Sequence, residues 1–291
     1  MAYIIYDTNE YLKIGGKKHQ SFDEVISRVD DLRDCEKRKS LCPIFNTTVA
    51  FELISHLMTN KTTTRNRYIR ACYALYYHCL TRDVVVTKNP AVAYFENLFG
   101  IEKQVVRTIN FLEELYRNPS VRTIEKNRGL IVEIMQYTHG VQSSWLHDLR
   151  SIRKKDQFKK GEKTRTIEFI KSADYPAWRA FVFLESVLRA FPVKVDRYSI
   201  INDNAIKNFI EQHQTYIEIW RRFDETYISG KYKLDDDKTA NRFWDAEICY
   251  YVGTKINDSI VCIATEANMI HTASQKANQG ALLLKKCQII S

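Results

Sequence analysis

The sequence predicts an α/β fold in which a central, mainly parallel sheet lies between two helical layers and is interrupted by a large, mostly helical insertion. Three observations lead to this prediction. Short apolar segments alternate with helical segments near both ends of the chain. Between about residues 91 and 228, by contrast, only helical periodicity recurs. The 291 residues, 45% of them hydrophobic, are enough to bury a large core.

The first part of the chain alternates strand and helix signals. Tyr3–Tyr6 is a short apolar run that predicts a buried strand opening into a loop at Asp7-Thr8-Asn9. The other predicted elements of this part are a helix over 22–34, a strand over 41–45, a helix from 46 to about 58, a polar loop over 60–66, a helix over 67–80 and a strand over 84–86. Such alternation is typical of a parallel sheet covered by helices.

The helical insertion is predicted to span 91–234, so that 1–90 and 235–291 form one α/β domain. Helical periodicity within the insertion lies near 105–115, 124–137, 177–191 and 205–227. After it, the predicted elements are a helix over about 240–253, a strand over 260–264, a helix from about 268 and a last strand over 281–284 or 287–290.

The charge of the chain favours a polyanionic partner. Its formal net charge is +9, which points first to nucleic acid and second to a membrane surface. Between Arg150 and Arg165, basic residues outnumber acidic ones eight to two. The residues predicted to contact phosphates are Arg150, Arg153, Lys154, Lys155, Lys159 and Lys160. The alternative is that this segment is a solvated connector between helices.

Several classes of protein are disfavoured. No apolar run reaches the ~20 residues that cross a bilayer, and the N-terminus does not resemble a signal peptide, so we expect a cytoplasmic protein without a membrane partner. The seven scattered cysteines do not predict disulfides or a zinc knuckle. No serine-nucleophile, P-loop or dinucleotide motif is present. Aromatic residues such as Phe181, Phe183 and Tyr216 lie in periodic apolar stretches and are predicted to be core.

Four acidic residues lie where the predicted topology would bring them together. Asp7 ends the first strand, Glu52 lies one turn into the helix after the second, Asp245 begins the helix after the insertion, and Glu266 follows the 260–265 strand. The carboxyl ends of parallel strands share one edge of a sheet, where ligands bind. Clustered carboxylates are stable mainly with a cation, and hard oxygen ligands suit Mg²⁺ or Mn²⁺. Such an ion activates water for phosphodiester hydrolysis.

Four motifs resemble those of PIN-domain metal-dependent nucleases, in the same order along the chain. The segments are Tyr3-Ile-Ile-Tyr-Asp7-Thr-Asn9, Asn46-Thr-Thr-Val-Ala-Phe-Glu52, Asn241-Arg-Phe-Trp-Asp245 and Ile260-Val-Cys-Ile-Ala-Thr265-Glu266. The resemblance covers roughly residues 1–60 and 240–285. It implies a PIN-like fold in which Asp7, Glu52, Asp245 and Glu266 bind the metal.

The resemblance also implies roles for other residues and partners. Asn9 and Thr265 would be polar supports for ligands or substrate. The fourth motif departs from the family, which usually has an acid two residues after the threonine, where this chain has Ala267. Asp237 and Glu247 are therefore alternates to Glu266. The family implies RNA rather than DNA as substrate, and is compatible with a homodimer, an inhibitory protein partner and a toxin or defence role. The alternative is a binding module that keeps the nuclease fold without turnover.

Overall fold

The computed structural model describes residues 1–16, 20–81, 85–87, 102–158, 160–190, 200–230, 237–265, 270 and 283–284. The chain divides into two compact units. The first comprises Met1–Ser143, Lys255–Glu266 and Leu283–Ser291, and the second comprises Ser144–Thr254 and Ala267–Leu282. Within the part that the structure describes, no helix is long and apolar enough to cross a membrane.

The first unit contains a sheet whose strands run mostly parallel. The strands are β1 (Ala2–Tyr6), β2 (Leu41–Asn46), β3 (Val85–Thr87), β4 (Lys255–Ile256), β5 (Ser259–Ala264) and β6 (Leu283–Leu284). Their order is β3-β2-β1-β5-β4, and β6 also pairs with β5. Only the pairing of β4 with β5 is antiparallel. The first unit is therefore an α/β fold with a mixed, mostly parallel sheet.

Strands β1 and β5 form the buried centre of this sheet. Ile4, Ile5 and Tyr6 are all buried, as are Val261 to Ala264. Consecutive side chains of a strand point to opposite faces, so both faces of these strands are covered. This is why each reads as a continuous apolar run rather than an alternating one.

Helices in the first unit follow the strands closely. They are α1 (Thr8–Ile14), α2 (Phe22–Arg38), α3 (Thr47–Ser55), α4 (Thr62–Leu75), α5 (Glu102–Arg117), α6 (Val121–Lys126) and the first part of α7 (Arg128–Phe158). The predicted loop after Tyr6 is wrong, because Asp7 caps α1 directly. The predicted loop over 60–66 is also wrong, since α4 begins at Thr62 and continues as a π-helical turn to Leu80.

The end of α1 is held close to α4. A Cβ atom on Gly15 would lie 2.9 Å from the backbone nitrogen of Ala71, so only glycine allows this approach. The carbonyl of Gly15 accepts a 2.7 Å hydrogen bond from Nε of buried Arg70. The position of α1 is thus set at one end by Asp7 and at the other by this contact.

A tight hairpin connects β4 and β5. Asn257 and Asp258, the two turn residues, both have positive φ, at 47° and 59°. Two left-handed turn residues give a type I′ geometry, which matches the twist of paired antiparallel strands. The sequence analysis missed β4 because two residues provide too short a pattern to read.

The second unit is helical in its described residues. Besides the end of α7 it contains α8 (Lys160–Lys171), α9 (Tyr175–Ala190), α10 (Asp203–Gln212), α11 (Gln214–Ile228) and α12 (Asp237–Ile248). One predicted helix over 205–227 is in fact two, with the break at His213, whose Nδ1 lies 2.8 Å from the carbonyl oxygen of Tyr250. The prediction that Phe183 and Tyr216 are core is confirmed, whereas Phe181 is exposed.

A buried polar network crosses the core of the first unit next to β1. Glu36 Oε1 accepts a 2.8 Å hydrogen bond from the Tyr6 hydroxyl and lies 2.9 Å from Nε2 of His78. The hydroxyl of Tyr11 lies 3.0 Å from Nδ1 of the same ring. Burial disfavours a charged His78, but the Cys79 sulfur and the Glu36 carboxylate favour it, and together they raise its pKa to about 9.

We expect Glu36→Gln to destabilise the protein in a pH-dependent way. Removing one partner of a buried ion pair costs about 3–5 kcal/mol. The folded pKa of His78 lies above its ordinary value of 6.5, so the stabilisation by imidazolium is complete below that value and is lost as pH rises through about 9. Urea unfolding at several pH values should therefore show a larger difference between variant and wild type at pH 6 than above pH 9.

Asp34→Asn is the matched control for this measurement. Asp34 lies on the same helix, but its side chain is 63% exposed and pairs with exposed Lys37. Its loss should change the free energy of unfolding by less than about 0.5 kcal/mol at any pH. An equal pH dependence in both variants would contradict the ion pair.

Candidate functional site

Asp7 lies at the carboxyl end of β1 and is almost completely buried, with 4% of its surface exposed. Its Oδ1 accepts a 2.8 Å hydrogen bond from the backbone N–H of Asn9, and its Oδ2 accepts one of 2.8 Å from the hydroxyl of Thr265. Burial raises the pKa of Asp7, although these two bonds and the charge of Lys13 oppose the shift. The site therefore holds a carboxylate that has lost much of its hydration.

Polar residues form a row across the carboxyl ends of four neighbouring strands. Tyr6 pairs with Ala264, so continuing the register by one residue places Asp7 opposite Thr265. The pairing of Ile4 with Pro43 likewise places Asp7 opposite Asn46, which itself pairs with Thr87. All four residues are buried. The order Thr265, Asp7, Asn46, Thr87 thus marks the edge of a parallel sheet where ligands bind.

Each member of the row outside Asp7 has a local structural role. Asn46 caps α3, because its Oδ1 accepts hydrogen bonds from the backbone N–H groups of Thr48 and Val49 at 2.9 and 3.3 Å. The Thr87 hydroxyl donates to the carbonyl of Phe45 at 3.4 Å. Hydrogen bonds within the protein therefore position the polar groups at these buried strand ends.

Glu52 reaches the same edge through Thr8. The hydroxyl of Thr8 donates a 2.5 Å hydrogen bond to Oε2 of Glu52. Thr8 directly follows Asp7 in the chain, and Glu52 is on α3, which follows Asn46. Two of the four predicted acids, Asp7 and Glu52, therefore lie at adjacent strand ends of one unit.

A cavity of about 310 Å³ opens next to this strand end, between α1 and α2. It is lined by Tyr6, Glu10, Lys13, Ile14, Arg28, Asp31 and Leu32. Lys13 forms a 2.7 Å ion pair with the buried carboxylate of Glu10. A cation close enough to lower the pKa of Asp7 is thus itself partly neutralised.

The other two predicted acids are Asp245 and Glu266. Glu266 lies outside the described residues, and Asp245 belongs to the second unit. Asp245 was expected to begin its helix, but α12 begins at Asp237, two turns earlier, so the prediction that Asp245 lies at the start of that helix is wrong.

In the described ranges, no group of three or more His, Cys, Asp or Glu side chains is arranged to hold a metal ion.

The two alternates to Glu266 also lie on α12, in the second unit. The structure describes the backbone of Asp237 but not its side chain. Glu247 is half-buried, and its Oε1 accepts a 2.8 Å hydrogen bond from the Tyr216 hydroxyl. Desolvation raises the pKa of Glu247 to about 7, against the effects of Tyr216 and the Arg179 cation, which lower it.

The predicted phosphate-binding residues are described only in part. Arg150, Arg153, Lys154 and Lys155 lie on α7 and Lys160 begins α8, whereas Lys159 and the side chains of the others lie outside the description. The predicted supports are both present at the edge: Thr265 contacts Asp7 through its hydroxyl, and Asn9 through its backbone N–H.

Sequence reasoning missed Thr8, Asn46 and Thr87 as members of the edge. The available signal was positional: Asn46 and Thr87 are each the first polar residue at the end of an apolar strand, and Thr8 directly follows Asp7. Comparison of the chain with protein-family models, curated proteins and solved structures found no match in any of the three.

We expect Thr265→Val to destabilise the protein by about 1.5–3 kcal/mol, because it removes a hydrogen bond to a charged, buried group.

Asp7→Asn, by contrast, should not destabilise the protein at neutral pH. The asparagine can still cap α1, and it removes a charge that burial disfavours. Thermal or urea unfolding of both variants without divalent ions measures the difference.

Comparison of wild type with Asp7→Asn tests whether the pKa of Asp7 is raised. A carboxyl whose folded pKa is raised costs stability when ionised, and this cost is relieved as pH falls through the folded pKa. Wild type should therefore gain stability relative to Asp7→Asn between neutral and acidic pH. A constant difference across that range would show that Asp7 is not desolvated.

Proposed function

We propose that this protein is a metal-dependent endonuclease with a PIN-like, three-layer arrangement of its α/β unit. The observation that supports the proposal most is the polar row at the carboxyl edge of the sheet, with the desolvated carboxylate of Asp7 at its centre. A buried acid whose hydrogen-bond donors are neutral is poorly compensated, and that is the usual condition of a ligand or catalytic group.

We propose Mg²⁺ or Mn²⁺ as the ion of this edge, because both prefer oxygen donors. Asp7 and Glu52 offer carboxylates, and the hydroxyls of Thr8 and Thr265 hold their oxygens in fixed positions. We propose that Asp245 and Glu266 complete the set. When bound, the ion would supply a water of lowered pKa and stabilise charge on a phosphodiester.

The residues of the chain would prepare this chemistry in three ways. The hydrogen bonds of Asp7 keep its carboxylate from rotating, so little reorganisation is needed when charge develops. Burial around it excludes water and strengthens local electrostatics. The basic segment from Arg150 to Arg165 would contact substrate phosphates. We propose RNA as the substrate and a toxin or defence role, on the family resemblance alone.

A non-catalytic nucleic-acid-binding protein is the second candidate. It is favoured by the fourth motif, in which Ala267 stands where the PIN-domain family usually has an acid. The two candidates differ in whether Asp7 binds a metal ion that cleaves nucleic acid.

We expect Asp7→Asn to abolish Mg²⁺- or Mn²⁺-dependent cleavage of RNA while leaving the fold intact. The change keeps the shape of the side chain and removes the charge that attracts the ion. Cleavage is followed on labelled RNA with each ion, and folding by circular dichroism. Asp34→Asn is the control, because it removes an exposed charge from the same unit.

Full activity in a purified Asp7→Asn protein would exclude the proposed site. Absence of cleavage by wild type with either ion, combined with RNA binding, would instead identify the non-catalytic candidate. Ion-induced stabilisation gives a second readout: Mn²⁺ should raise the unfolding temperature of wild type and not that of Asp7→Asn.

We expect Glu266→Gln to weaken Mn²⁺ binding more than Asp237→Asn does. Glu266 directly follows Thr265, whose hydroxyl bonds to Asp7, whereas Asp237 begins a helix of the second unit. Calorimetric titration of each variant with Mn²⁺ measures the effect. The reverse ranking would assign the fourth ligand to Asp237.

A further inference from the structure

Three exposed aromatic side chains lie together on the α8–α9 hairpin. Phe169, Trp178 and Phe181 are 36%, 41% and 40% exposed. The other exposed large hydrophobic residues in the described part of the chain are the aliphatic Met1, Val106, Val121 and Ile260. Isolated exposed apolar residues are normal, but a cluster of them indicates an interaction surface. We name Phe169, Trp178 and Phe181 the aromatic strip.

Two of the three rings of the strip meet across the two helices. The rings of Phe169 and Trp178 meet edge to face, with centroids 5.6 Å apart and planes at 87°. Trp178 and Phe181 are three residues apart on α9, which places them on the same side of that helix. The exposed surface is thus larger than any one ring.

A buried tyrosine supports the strip from beneath. Tyr175 is fully buried, with its ring centroid 5.6 Å from that of Trp178 and 6.4 Å from that of Phe169. Its hydroxyl donates a 2.6 Å hydrogen bond to Oδ2 of Asp224, and the guanidinium of Arg221 lies 5.0 Å from its ring centroid. These contacts hold the aromatic rings in place before any partner binds, which lowers the entropic cost of binding.

The charges near the strip favour an anionic partner. Exposed Lys163, Arg165 and Lys171 lie on α8, with Arg165 one turn before Phe169. Lys171 pairs with Glu225 at 3.6 Å, and Lys163 donates to the Ser229 carbonyl at 3.3 Å. Between residues 163 and 174, the acidic residues are Glu168 and Asp174. Residues 150–162, which precede Lys163, include six further basic and two acidic residues.

We propose that the aromatic strip binds unpaired bases of single-stranded nucleic acid by stacking, while the neighbouring cations contact its phosphates. Aromatic rings beside basic residues are the combination that recognises single strands with little sequence preference. Bases within a duplex are already stacked on each other, so the strip discriminates against paired substrate. The choice of a polynucleotide over other polyanions rests on the proposed function, and the site deepens it by placing a binding surface in the second unit.

The test measures binding without cleavage. Fluorescence anisotropy of a labelled oligouridylate and of an RNA duplex is recorded in EDTA, with wild type, Trp178→Ala, Trp178→Phe and Val121→Ala. Val121 is the matched control because it is exposed to 40% and lies in the first unit. Trp178→Ala should weaken binding of the single strand about 5- to 150-fold, the worth of one stacked base.

The other variants should behave differently. Trp178→Phe keeps a ring and should lose less affinity than Trp178→Ala, and Val121→Ala should bind like wild type. Duplex binding should change little in any variant. Quenching of intrinsic tryptophan fluorescence by the oligouridylate should be smaller in Trp178→Phe than in wild type, and this readout remains usable if Trp178→Ala fails to fold.

Each result assigns the failure to one proposal. Equal affinity of Trp178→Ala and Val121→Ala for the single strand would exclude the strip, even if RNA is cleaved with Mg²⁺. Binding that depends on Trp178, with no cleavage under any ion, would retain the strip and reject the nuclease. Self-association through Trp178 without nucleic-acid binding would overturn the inference in favour of a second copy of this chain.

Discussion

The first unit depends on a buried hydrogen-bond acceptor, the side chain of Asp7, at the carboxyl end of its central strand. Asp7 ends β1, caps α1 and accepts a hydrogen bond from Thr265, a residue 258 positions away in the chain. One side chain therefore fixes both the direction in which the chain leaves the sheet and the pairing of its two ends. This arrangement is possible because β1 and β5 are parallel neighbours, so their carboxyl ends meet at one edge.

Two buried acids of the first unit, Glu36 and Asp7, differ in how their charges are compensated. Glu36 lies in the core, where its Oε1 accepts a hydrogen bond from Tyr6 and pairs with the ring of His78. Asp7 is compensated mainly by a backbone N–H and a neutral hydroxyl, and burial dominates its pKa. Stability alone would favour a neutral residue there. Under the proposed function, the carboxylate of Asp7 would be kept against that cost because a bound cation uses its charge.

The second unit shows a similar division between its interior and its surface. Arg179 lies 3.7 Å from the Trp220 ring centroid and 4.0 Å from Oδ2 of Asp224. Its charge is therefore compensated by contacts between the helices of this unit. The aromatic strip lies outside, where ring area remains exposed although Tyr175 beneath it is fully buried. Removing exposed aromatic surface from water is favourable, which gives the strip a driving force for binding a partner.

The sequence by itself determined the α/β class, the strands β1, β2 and β5, and Asp7 as the residue that ends the first of them, because continuous apolar runs can be read locally. It did not reveal α1, since Asp7-Thr8-Asn9 is equally compatible with a loop until the cap is seen. It assigned Phe181 to the core, because helical spacing does not tell which face of a helix other elements cover. Only the tertiary structure decided that Asn46 and Thr87 align with Asp7 across the sheet, and that Glu52 bonds to Thr8. Register and side-chain contacts between distant segments depend on packing of the whole unit, which no local pattern encodes.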